Sequence, residues 1–171
     1  MNTIHLISEI TLKKYSLISD NVDSTYIAPA VVKAQDMGLQ PLIGTNLLVK
    51  IYNLVDTEAI TMQTNAWYKT LLDDYIAPYL CQKVMADIQI PLFAKIRNAG
   101  ITQSQDQQTT QLSIQEVEYI KNKYENDATF YANRMTDYLK ANSIHYPEYR
   151  TIRDSADMNA DDKAFNTHIV L

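Results

Sequence analysis

Between Ser113 and Ala141 bulky residues return at every seventh position, Val117, Tyr124, Tyr131 and Tyr138, with Ile114, Ile120, Ala128, Met135 and Leu139 interleaved. Positions three, four and seven apart fall on one side of a helix, so this spacing predicts a long amphipathic rod with an aromatic stripe suited to packing. At its start Ser113-Ile114-Gln115-Glu116 reads as a capping box, the serine meeting the amide of Glu116 while the glutamate reaches back.

Helical periodicity recurs upstream. Ile27, Ala30, Val31 and Ala34 share a face; Pro29 sits at a tolerated first-turn position, and Gly38 stands where a left-handed residue would end the helix. Pro41 interrupts, after which Thr45 is placed to cap a helix whose Leu47, Leu48, Ile51, Tyr52 and Val55 lie together. Thr64 is placed to cap the next, which carries Trp67, Tyr68, Leu71 and Leu72. Pro78 lacks an N–H and disfavours helical geometry at Ala77, which predicts a break or a kink there. The restart through Cys81, Val84, Met85, Ile88, Leu92, Phe93 and Ile96, with a second bend at Pro91 and a terminator at Gly100, reads as the central core helix.

The connecting stretches are polar. Residues 7–15 read as a short helix or an extended arm, and the turn formers at 20–24 follow. Residues 101–112 hold only two strongly apolar side chains and are expected to project as a loop or a thin β-hairpin. Beyond Tyr149 the chain turns polar and charged until Ile169, Val170 and Leu171, the pattern of a solvated tail with an apolar tip. The expected architecture is therefore all-α: a small bundle of four to five helices over 1–149, a projecting polar loop or hairpin, and an extended C-terminal tail over 150–171.

Composition sharpens this. Twelve tyrosines stand against three phenylalanines. A tyrosine pairs a large apolar ring with a polar tip, so the excess fits surfaces covered only when a partner arrives, or an intramolecular core with wet edges. A net charge of −5 argues against a module that grips phosphates, although a channel through which DNA merely slides gains from not gripping it. The single cysteine, Cys81, can form no internal disulfide and reads as a buried small hydrophobe in a reducing compartment. The opening residues carry no basic, long-apolar leader pattern, and no apolar run is long enough to span a bilayer, so no membrane partner is expected.

Catalytic and metal-binding patterns are weak. Asp157-Met158-Asn159-Ala160-Asp161 repeats the first alternating ligands of a calcium loop, but Asp162 occupies the place of the glycine and His168 that of the bidentate glutamate. His5, His145 and His168 lie at no ligand spacing. A thiol in an apolar helix interior is a poor nucleophile. Asp73 and Asp74 diverge on a helix, and Gly44-Thr45 lacks the other letters of a phosphate loop. No enzyme, cofactor or metal is expected.

Taken in order, Thr11-Leu12-Lys13-Lys14-Tyr15, Asp20-Asn21-Val22-Asp23, Ala34-Gln35-Asp36-Met37, Gln40-Pro41-Leu42-Ile43-Gly44-Thr45, then the run from Tyr68 to Leu80 and Phe130-Tyr131-Ala132-Asn133-Arg134-Met135 form a recognisable series. Over residues 7 to about 149 the chain resembles the head-tail connector proteins of tailed bacteriophages, in particular those of Bacteroides-type phages, crAss-like phages included. The resemblance implies a structural virion protein of the neck, assembled in the cytoplasm of a bacterial host. Its subunits would form a dodecameric ring under the portal protein, extend the channel for double-stranded DNA without binding it specifically, and carry further ring or tail proteins. On this reading Tyr124, Tyr131, Tyr138 and Trp67 are expected at subunit interfaces. Ile169, Val170 and Leu171 would dock on the portal or a neighbour, and Gln105, Gln107 and Gln108 would face an axial neighbour or the channel. The competing readings are a helical adaptor acting as monomer or dimer, and a small enzyme with an unrecognised site.

Overall fold

In the computed structural model, which describes residues 4–15, 24–97, 100–103, 113–150 and 158–160, the chain is an all-α bundle with one small hairpin. The helices are α1 (Glu9–Tyr15), α2 (Ser24–Lys33), α3 (Gln40–Asp56), α4 (Ala66–Leu71), α5 (Ala77–Phe93), α6 (Ile114–Ala141) and α7 (Pro147–Arg150). Two π-helical turns, Ala34–Leu39 and Leu72–Ile76, join α2 to α3 and α4 to α5, so the bundle is built from three long rods. α5 is the axis. It packs on α1, α2, the first π turn and most extensively α6, and buries Leu80, Cys81, Val84, Met85 and Ile88 among them.

α6 ends at Ala141 as its periodicity requires, and the capping box is present: Ser113 Oγ accepts from Glu116 N–H at 3.3 Å while Glu116 Oε2 accepts from Ser113 N–H at 2.7 Å. At Pro78 the chain does not break. The π turn absorbs the problem, because Ala77 N–H already reaches back five residues to Leu72 O, and the following proline, with no N–H to place, continues the helix. α5 stops at Phe93 rather than running on towards Gly100. Pro91 withdraws a donor from the last turn, and Ala94–Arg97 (β1) instead pairs antiparallel with Gly100–Gln103 (β2), Ile96 opposite Ile101. The hairpin thus begins before the glutamine-rich stretch, whose residues 104–112 lie outside the described residues.

The positive φ expected at Gly38 falls at Gly44. Gly38 sits inside the first π turn and ends nothing; it is small because a Cβ there would stand 2.6 Å from the Tyr79 hydroxyl. Gly44 is the one with positive φ (78°, ψ 157°), and it breaks α3 after its first turn. Pro41 lies in that first turn, where it is tolerated. Neither threonine caps as expected. Thr64 lies in a 3₁₀ turn before Asn65, and Thr45 turns its hydroxyl to the C-terminal segment.

Gln35, 1 % exposed, closes the bundle over the N-terminal arm. Its Oε1 accepts from Leu6 N–H at 2.7 Å, and its Nε2 lies 3.0 Å from both Ile4 O and the Tyr52 hydroxyl, donating to each. One side-chain amide thus takes the place of a neighbouring strand for residues 4 and 6, and Leu6, Ile7 and Leu12 are buried behind it. Gln35→Leu keeps the bulk and leaves those main-chain groups unpaired. It is expected to cost about 2 kcal/mol, with loss of exchange protection at Leu6 N–H in hydrogen-exchange measurements.

Candidate interaction surfaces

The tyrosine stripe is folded into the subunit. Tyr124, Tyr131 and Tyr138 pack against the core with their edges half-covered, beside the buried Val117, Ala128, Ala132, Met135 and Leu139. Tyr138 is the deepest engaged: it stacks on Tyr75 with centroids 4.0 Å apart, and its hydroxyl meets that of Tyr146 at 3.1 Å. Tyr146 is wholly buried and donates to Trp67 O at 2.8 Å, so the proton between the two tyrosines comes from Tyr138. Burial pushes the Tyr146 hydroxyl far above its ordinary range. Tyr68 stands edge-on to Tyr146 and donates to Glu148 at 2.8 Å. These rings fasten α4, the second π turn, α6 and α7 to one another. Of the residues expected at interfaces, Tyr138 therefore serves the subunit itself, because the seam its heptad spacing announces is filled by Tyr75 and Tyr146.

Trp67 keeps an outward face. It is 43 % exposed and lies flat on His145, with ring centroids 3.8 Å apart, next to Ile144, which is 86 % exposed. This is an apolar corner at one end of the bundle.

The outer side of α6 holds what the stripe does not. Tyr119 is 74 % and Phe130 64 % exposed. Eleven residues separate them, three helical turns or about 16 Å along the axis, and both lie opposite the buried Val117–Ala128–Met135 line. Lys123, Asn126 and Asn133 lie on the same exposed side. The sequence carried this signal in the eleven-residue interval, but the stronger heptad stripe masked it.

Where α5 and α6 meet the first π turn, a half-open cleft of about 170 Å³ is lined by Met37, Gly38, Tyr79 and Thr129 and floored by the Lys83–Glu125 pair. Lys83 Nζ lies 2.8 and 2.9 Å from the two carboxylate oxygens, so the charges answer each other across the helix interface. Cys81 is buried and its thiol pushed up to about 12 by desolvation, which opposes thiolate chemistry. A thiol reagent at pH 8 is expected to label the folded chain at least about 100-fold more slowly than the urea-unfolded chain, and near-equal rates would show the site to be open. Among the described residues no three His, Cys, Asp or Glu side chains converge on a metal position, and no helix is long and apolar enough to cross a membrane. Gln105, Gln107, Gln108, Ile169, Val170 and Leu171 lie outside the described residues, as does the calcium-like stretch apart from Met158, Asn159 and Ala160.

Compared with known families, residues 39–157 match a family of unknown function, DUF6712. No curated protein and no solved structure matches the chain. The matched span starts at the end of the first π turn and takes in the α3–α7 bundle, including the aromatic cluster and the outer face of α6.

Proposed function

The chain belongs to the DUF6712 family, and we propose that it is a structural subunit of a phage neck, a head-tail connector that assembles as a ring below the portal protein and extends the DNA channel. The observation that carries the reading is the two-sided character of α6. One side is consumed by the subunit's own core, while the other leaves Tyr119 and Phe130 uncovered. A ring subunit needs such a face, because a heterologous contact closes only when each copy offers a second surface beyond its own core. The apolar corner at Trp67 and Ile144 supplies a further uncovered surface. The net charge of −5 accords with a channel wall that lets DNA pass.

The residue series that resembles phage connectors supports the same reading. A helical adaptor working as monomer or dimer would use the same surfaces for a single partner. Negative-stain imaging of the purified protein with its portal decides between them: rings of fixed rotational symmetry capping the portal are expected. Particles that stay monomeric or dimeric in its presence would overturn the connector reading.

A further inference from the structure

The C-terminal segment returns to the bundle after α7. Met158–Ala160 lies across the break in α3, against the main chain of Gly44 and Thr45. Because Gly44 leaves helical geometry, the Thr45 N–H is released from the helix, and it donates to Met158 O at 2.9 Å. Thr45 Oγ1 accepts from Met158 N–H at 3.1 Å and is itself held by Gln40 Nε2 at 2.9 Å. One threonine thus engages both main-chain groups of one residue, as an edge strand would. Gly44 gives the segment room as well as the turn: a Cβ on it would stand 3.0 Å from Ala160 N and 3.4 Å from Met158 O. The segment is held by its backbone, and the Met158 side chain is 47 % exposed.

We propose that the Gly44–Thr45 break is a binding seat for an extended peptide main chain, and that in the assembled protein its ligand is the Met158–Ala160 segment of a second copy. The seat stands on the geometry alone, whereas the second-copy ligand rests on the ring reading. Two copies of one chain carry the same segment, so exchange between them preserves every hydrogen bond. Eight Cα steps separate Arg150 from Met158 and reach at most about 28 Å, which bounds how far from α7 a second copy's seat can lie.

The test uses full-length chains. In Met158→Pro the segment loses the N–H that Thr45 Oγ1 accepts, and the Thr45 amide is expected to exchange at least tenfold faster than in the unaltered chain. A synthetic peptide of residues 155–163, titrated into that variant, is expected to shift the Gly44 and Thr45 resonances. It should do so at least fivefold more weakly in the unaltered chain, whose seat is filled. The same peptide with Met158→Ala and Asn159→Ala is expected to bind alike, and one with Met158→Pro not at all. A Thr45 amide unchanged by Met158→Pro, or a peptide that moves neither resonance, would overturn the seat. For the ligand, a Thr45→Val chain mixed with a Met158→Pro chain is expected to form a one-to-one pair by native mass spectrometry, although neither associates alone. Peptide binding without pairing would overturn the second-copy ligand. Peptide binding and pairing in a protein that forms no ring on the portal would count against the ring reading alone.

Discussion

Tyr146→Ala is expected to lower stability by about 3–5 kcal/mol, the usual cost of emptying a fully buried aromatic site. In a chain of this length that corresponds to a fall of about 6–20 °C in melting temperature, read by circular dichroism. The size of the effect follows from what the ring joins. Tyr146 has no exposed surface, donates to Trp67 O, accepts from Tyr138 and stands edge-on to Tyr68, so its loss opens a cavity and orphans two polar groups together. Tyr146→Phe separates these contributions. It keeps the ring and removes the hydroxyl, leaving the Trp67 carbonyl without its donor, and is expected to cost about 1–2 kcal/mol. Because burial holds the hydroxyl protonated, neither cost is expected to change between pH 6 and about 9. An alanine variant within about 1 kcal/mol of the unaltered protein would mean that the segment after α6 is not part of the folded core.

The second large effect concerns assembly and leaves the fold alone. Tyr119→Asp combined with Phe130→Asp replaces two exposed rings on the outer side of α6, so the melting temperature is expected to stay within about 2 °C. Buried in a subunit contact, an aromatic anchor is worth about 2 kcal/mol or more, roughly 30-fold in affinity for each ring. The double variant should therefore lose ring formation on the portal at concentrations where the unaltered chain assembles fully, as counted in negative-stain images and by co-sedimentation. Tyr124→Phe serves as the comparison, since that ring is half-covered within its own bundle and the change should leave assembly intact. Rings formed normally by the aspartate variant would remove the outer side of α6 from the interface.

The sequence carries local chemistry more plainly than contacts between distant residues. Local chemistry was legible: the Ser113–Glu116 box, the length of α6 and the burial of Cys81 each follow from the identity of a few adjacent residues. Partners distant along the chain were not. The heptad spacing announces a seam at Tyr138, but the rings that fill it come from Tyr75 and Tyr146, and periodicity cannot say whether a seam closes on its own subunit or on another. Gln35 looks like a surface residue until the arm folds over it, because its role is to pair with backbone, which side-chain patterns do not encode. Main-chain bonds likewise hold Met158–Ala160, whose side chains give no sign of it, and the positive φ falls at Gly44 and not at Gly38.

The π turns carry a consequence for how this bundle tolerates change. Each accommodates one residue more than regular helical pitch would, so Leu72–Ile76 absorbs that residue while the faces α4 and α5 turn inward stay in phase. Deleting a single residue there would restore ordinary pitch with that phase kept, whereas deleting one within the regular turns of α5 would swing everything downstream of it by about 100°. One-residue length variation among relatives should accordingly be scarce within α5 and gather in that five-residue stretch and in the connection between β2 and α6, where it rotates nothing.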